Sequence, residues 1–138
     1  MKSVIFDTGP IVAWLCPRDQ HHEWSRRAFS SIRAPGIICE AVITEACHLV
    51  AREGIAACKV AEFVIDGGFQ VISLAADIPR IRKLLETYAD TPMDFADACI
   101  TRMAELHHGA TVCTTDSDFV IYRKHQTEPI SLLAPFSD

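Results

Sequence analysis

Five short apolar runs are spread along the chain, Val4–Phe6, Gly36–Cys39, Phe69–Leu74, Ala110–Thr114 and Pro129–Leu133, with segments of helical period between them. Runs of this kind read as strands, some of them buried on both faces. Trp24, Ala28, Phe29 and Ile32 form one helical stripe, and Ile81, Leu84, Leu85 and Tyr88 form another at i, i+3, i+4, i+7. Val42–Val50 and Ile55–Ile65 are further apolar helices. Glycines stand where helices should stop, at Gly54, Gly67, Gly68 and Gly109. Repeated alternation of strand and helix predicts an α/β layer fold around a mostly parallel sheet.

A chain of 138 residues is one domain, large enough to bury a core without disulfides or a structural metal. No apolar run approaches the roughly 18–20 residues that span a bilayer. The N-terminus, MKSVIFDTGP, reads as a first strand and lacks the features of a signal peptide, so the protein is expected in the cytoplasm. The six cysteines are never closer than eight residues, which leaves no CxxC pair; buried free thiols in a reducing compartment are expected. His21-His22 and His107-His108 have no metal-ligand spacing with any cysteine, and surface or helix-terminal roles suit them. There is no GxGxxG after the first strand and no GxxxxGK[ST], so neither a dinucleotide nor a nucleoside triphosphate is indicated.

Carboxylates instead mark the strand ends. Asp7 follows the first strand in FDTGP, and Asp116 and Asp118 follow the fourth in TDSDF. Open parallel sheets bind ligands beyond the carboxyl ends of their strands, so two strands deliver acids to the expected edge. In MDFADACI, Asp94 and Asp97 open a helix whose core stripe is Phe95, Ala98, Cys99, Met103 and Leu106; the acids and Thr101 fall on the opposite side. There the helix dipole favours the ionised carboxylates. Glu45 interrupts the apolar helix of AVITEACHLV at the border of its buried face.

Each acid also has a purely local reading. Asp94 as N-cap with Asp97 in the third helical position is a variant of the capping box, Asp7 or Thr8 can cap a helix that has Pro10 in its first turn, and Asp116 or Asp118 can brace a turn. The roles are compatible, because capping leaves a second carboxylate oxygen free. Several unneutralised carboxylates in one pocket repel one another unless a cation sits among them. An all-oxygen set selects Mg²⁺ or Mn²⁺ over zinc, and such ions support phosphodiester hydrolysis.

The ordered segments FDTGPIVAWL with RDQHHEW, VITEACHLV, YADTPMDFADACI and TTDSDFVIYR resemble the PIN-domain ribonucleases, above all the VapC-type toxins of toxin–antitoxin modules. The resemblance implies a single PIN domain over residues 1–138, a three-layer α/β/α sandwich with a central, mostly parallel sheet. It also implies metal-dependent endoribonuclease activity. Matched motif by motif, the family acids are Asp7, Glu45, Asp97 and Asp116, which would hold Mg²⁺ or Mn²⁺ and orient a water towards an RNA phosphate. Asp94 and Asp118 are secondary, and Thr8, Thr115 and Ser117 could add hydroxyl contacts. A homodimer and a cognate antitoxin protein are further implications.

The net charge of −5 gives no general attraction to RNA, so a local basic patch is required. Arg26, Arg27, Arg52, Arg123 and Lys124 are candidates, although a solvated helix face accounts for each. Two other readings compete. A non-catalytic interaction module on the same fold would keep the acids without cleaving RNA. An aspartyl-phosphate enzyme would use Asp7 as nucleophile, but there is no second acid two residues later and no conspicuous lysine at a later strand end.

Overall fold

The computed structural model describes residues 2–137. The chain begins β1 (Val4–Phe6), α1 (Thr8–Leu15), α2 (His22–Ser31), β2 (Gly36–Cys39), α3 (Glu40–Ala51), α4 (Ala57–Asp66) and β3 (Gln70–Ile72). It continues α5 (Ile78–Thr87), α6 (Phe95–Leu106), β4 (Thr111–Cys113), β5 (Arg123–Lys124), β6 (Glu128–Pro129) and β7 (Leu132–Leu133). Five strands form one sheet in the order β3-β2-β1-β4-β7, and every neighbouring pair is parallel. Helices flank it, as the alternating pattern predicts for an α/β/α sandwich.

The runs of β1, β2 and β4 form the middle of the sheet because each is an apolar strand whose faces need helices over them. All three residues of β1 are buried, with Val4 opposite Gly36 in β2 and Phe6 opposite Cys113 in β4. Ile5, Ile11, Ile38, Val42, Ile81, Leu84, Ile100 and Met103 fill the core. Each contributes about 1.5–3 kcal/mol from burial. The sheet builds outward from β1 in two directions, towards β2 and β3 on one side and β4 and β7 on the other. That makes β1 and β4 the switch point, beyond whose carboxyl ends open α/β sheets bind their ligands.

Four features depart from the sequence-based expectations. The third strand keeps only Gln70–Ile72 of the run Phe69–Leu74, because it lies at the sheet edge and Phe69 instead packs its ring 4.8 Å from Phe6. The run Pro129–Leu133 divides in two. Pro129 has no N–H for a parallel ladder and pairs antiparallel in β6 with Arg123 of β5, and only Leu132–Leu133 joins β4. The helices α3 and α4 begin at Glu40 and Ala57, not at Val42 and Ile55.

The largest departure concerns α6. Phe95 and Leu106, assigned to its core stripe, are 48% and 45% exposed, whereas Ala96, Asp97, Ile100, Thr101 and Ala104 are buried with Ala98, Cys99 and Met103. The helix packs against α3, α5, β1, β4 and β5 together, so it has almost no solvated side between its ends. The Thr101 hydroxyl meets its burial by donating to the Asp97 carbonyl at 2.9 Å.

The β5–β6 hairpin turns through His125 and Gln126, both at positive φ (50° and 70°). Such conformations cost about 1–2 kcal/mol per non-glycine residue. Glu105, at the end of α6, offsets this by accepting from the His125 N–H at 2.7 Å.

Candidate active site

Asp7 leaves β1 in extended conformation and caps α1, its Oδ1 accepting from the Thr8 N–H at 2.7 Å. Because Phe6 stands opposite Cys113, the next residues of the two strands also meet: Thr114 donates its hydroxyl to Asp7 Oδ2 at 2.6 Å. The same Thr114 oxygen accepts from the Asp116 N–H at 2.9 Å. Thr114 thus ties the two strand-end acids together, a role the sequence patterns did not single out.

Asp116 in turn caps the short 3-10 turn Ser117–Val120, accepting from the Asp118 N–H at 2.9 Å. Asp94 and Asp97 form the expected capping box: Asp97 N–H donates to Asp94 Oδ1 at 2.8 Å and Asp94 N–H to Asp97 Oδ2 at 3.1 Å. Glu45 is half-buried in α3. Caps of this kind are worth about 1 kcal/mol each, so local structure and the acid cluster share the same atoms.

The acids form one electrostatic group. Burial pushes the Asp7 carboxyl up to about 6, Thr114 and Thr8 pull it partly back, and the charges of Asp116 and Glu45 raise it further. Burial, followed by the charges of Asp94, Asp7 and Asp116, lifts Asp97 to about 8 against the pull of the Asp94 N–H. Glu45 is raised by burial, with Thr8 countering and Asp94 and Asp116 adding to the rise. Asp116 is raised by burial and by Asp118 and Asp94. Asp97 therefore does not stay ionised at neutral pH merely because it lies in a first turn. It is only 8% exposed, and lost hydration outweighs the helix dipole.

Two buried hydroxyls face this group: Thr8 Oγ1, near enough to Glu45 to lower its carboxyl but outside hydrogen-bond geometry, and the Tyr122 phenol, which has no hydrogen-bond partner among the described residues. A buried unpaired hydroxyl costs about 1–3 kcal/mol. Burial and the charges of Asp97, Asp118, Asp116 and Asp94 all raise the Tyr122 pKa, which locates this ring beside the acids. Its ring packs 5.1 Å from Phe119 and 5.2 Å from Tyr88. Nothing in the spacing of TTDSDFVIYR marked it. Thr115 lies against the Gly9 backbone so closely that any side chain at Gly9 would overlap its hydroxyl, which accounts for the glycine of FDTGP. Ser117 is exposed.

A profile of the PIN domain matches residues 4–124. The chain belongs to the PIN domain family. Among solved structures, VapC20 of Mycobacterium tuberculosis, a toxin that cleaves the sarcin-ricin loop, matches with a TM-score of 0.79 and 21% identity, over 91% of this chain and 99% of that one. At that identity the likeness speaks for the fold. No curated protein matches the sequence.

Within this PIN domain, among the described residues, no cluster of three or more His, Cys, Asp or Glu side chains is arranged to hold a metal ion as it stands. Capping bonds hold most of the set: Asp7, Asp94, Asp97 and Asp116 each turn an oxygen towards a backbone N–H, and Asp7 has both oxygens engaged, not one as capping alone would leave it. The chemistry of the set nevertheless fits a hard divalent cation. It is all oxygen, strongly self-repelling, and among the described residues no Lys, Arg or His forms an ion pair with any of these acids.

The basic candidates lie in other settings. Arg26 stacks over Trp14 at 3.8 Å, Arg52 contacts His48 at 3.2 Å, and Arg123 Nη1 donates to the carbonyls of Val120, Ile121 and Tyr122. Lys124 is half-buried in the hairpin and Arg27 is exposed. A cleft of about 510 Å³, lined by Trp14, Phe29, Phe63 and Phe69, lies apart from the acids. No helix among the described residues is long and apolar enough to cross a membrane.

Proposed function

We propose that this PIN domain is a metal-dependent endoribonuclease, the toxin of a toxin–antitoxin pair, acting with Asp7, Glu45, Asp97 and Asp116 as its acid set. The observation that carries the reading is the convergence of carboxylates from β1, α3, α6 and the end of β4 into one coupled group with no cationic partner among the described residues. The family supports nucleic-acid cleavage, and the likeness to VapC20 supports an RNA target and a cognate antitoxin. The same family expectation extends to a homodimer.

In this reading Asp7, Glu45, Asp97 and Asp116 hold Mg²⁺ or Mn²⁺, which when bound neutralises the acids, polarises a phosphoryl oxygen and activates a water. Asp7 and Asp116, linked through Thr114, set the spacing of the two strand-end ligands. Asp97 would serve as a carboxylate ligand, and Asp94 keeps its backbone oriented through the capping box. Asp118 braces Asp116. Thr8 adds a hydroxyl beside Glu45, Tyr122 offers a buried hydroxyl that a water could satisfy, and Thr115 and Ser117 stand at the rim.

The test is cleavage of a structured RNA mixture that includes a sarcin-ricin loop oligonucleotide, with Mn²⁺ and with chelator, by the parent chain and by Asp97→Asn. Cleavage that needs Mn²⁺ and vanishes in the variant is expected. Cleavage surviving in Asp97→Asn would remove the assignment. A second reading, a non-catalytic PIN-fold module, draws on the saturation of both Asp7 oxygens; it requires Mn²⁺ binding by calorimetry with no RNA cut.

A further inference from the structure

The sequence patterns left the cysteines as inert core thiols, and four of the six fit that description: Cys16, Cys39, Cys99 and Cys113 are buried, while Cys47 is half-buried and Cys58 exposed. Two of the buried ones come together. Cys39 ends β2 and occupies the N-cap position of α3, and Cys99 lies in the second turn of α6. Both line the same open pocket of about 230 Å³, with Glu40, Ser73, Ile78 and Phe95 around them. A molecule the size of a peroxide can enter such a pocket although each cysteine is only 2–3% exposed.

The location gives the pair leverage. Cys39 opens the helix that carries Glu45, and Cys99 is two residues beyond Asp97 on the helix that also presents Asp94. We infer that Cys39 and Cys99 form a reversible dithiol–disulfide switch, oxidised by hydrogen peroxide, that ties α3 to α6 and displaces the acid set. The inference rests on the nuclease reading for its consequence, not for the bond itself.

The chemistry balances. The Cys39 sulfur attacks one peroxide oxygen, the O–O bond breaks, and water leaves after protonation, with Cys39 as the sulfenic acid. The Cys99 sulfur then attacks the Cys39 sulfur, the S–O bond breaks and a second water leaves. Two thiols lose two electrons and two protons, and one hydrogen peroxide is reduced to two waters. The local setting favours Cys39 as the first nucleophile: its interaction with Cys99 holds its thiol down to about 7 against burial, with the first-turn N–H groups of Val42 and Ala41 helping. Cys99, lining the same pocket from α6, takes the resolving role.

The test uses the full chain, reduced and then treated with hydrogen peroxide, followed by non-reducing peptide mapping and RNA cleavage with Mn²⁺. A Cys39–Cys99 linked peptide that a dithiol reductant removes is expected. Cleavage should fall by roughly ten- to a hundredfold on oxidation, the loss that follows displacement of catalytic groups by about 1 Å, and return on reduction. Cys39→Ala and Cys99→Ala should each keep the reduced protein's activity and lose the peroxide response; Cys58→Ala should keep both. Peroxide that modifies Cys58 while Cys39 and Cys99 remain thiols overturns the switch, as does a linked protein of undiminished activity. If the link forms but the reduced chain cuts no RNA, the bond stands, and both the nuclease reading and the control of cleavage fall.

Discussion

The two ends of α6 carry buried acids in opposite circumstances. Asp97 and Glu105 are 8% and 9% exposed on one helix, yet the first is pushed up to about 8 and the second held down to about 2. Burial raises both. At Glu105 it is outweighed by Arg80, which donates at 3.0 and 2.7 Å, by the His125 N–H, and by Arg102 at 3.1 Å. Arg102 also spans to Asp77 at 2.8 Å, so α5, α6 and the hairpin are drawn into one network. Asp97 has only a backbone N–H and other acids. At equal burial, the partners alone separate a structural carboxylate from one of the proposed metal-binding set.

Substitution at the two ends gives the largest contrast. Asp97→Asn should lower Mn²⁺-dependent RNA cleavage by roughly 10²–10³-fold, since a metal-held transition state is worth several kcal/mol. It should leave the melting temperature of the metal-free chain at pH 8 unchanged or higher, because it removes a repelling charge. Glu105→Gln should do the reverse. Stability should fall by roughly 2–3 kcal/mol in urea titration as Arg80 and Arg102 lose their buried partner, with cleavage by the folded protein largely retained. Equal effects of the two changes on stability would erase the distinction.

Acidity sharpens it. The Asp97 carboxyl, ordinarily near 3.8, is held at about 8 in the native chain, so the folded state binds its proton more tightly. That contribution is complete below about pH 4 and is lost as pH rises towards 8. Glu105 works in the other direction: its ordinary value of 4.5 drops to about 2, so its contribution is present above pH 4.5 and lost as pH falls towards 2. Melting temperatures of the metal-free protein should therefore decline from pH 5 to pH 8, with the decline flattened in Asp97→Asn and restored towards level by added Mn²⁺. A flat profile in the parent would show that Asp97 has found a partner.

The smallest effect belongs to the cap. Asp94→Ala should cost about 1 kcal/mol of stability by freeing the Asp97 N–H, with a modest loss of cleavage. Urea titration beside the cleavage assay separates the two.

The strand–helix alternation was legible because hydrophobic period is a local property: five runs became strands of one parallel sheet, and the acids of FDTGP and TDSDF sit at strand ends by position alone. The capping box of MDFADACI was legible for the same reason. The gathering of acids from four segments was legible too; what failed was the reading of which faces are solvated and which groups pair across the chain. The solvated side of α6 does not exist, because a single helix wheel cannot register packing from α3, α5 and three strands at once. Thr114, Tyr122 and the Cys39–Cys99 pair carry no signature in spacing. The polar partners that distinguish Asp97 from Glu105 lie as far as 25 residues away in the chain. Local chemistry settled which segments became strands and helices and where acids would fall; only the packed chain decided which of those acids were paired, because desolvation and charge compensation are set by whatever the fold brings alongside.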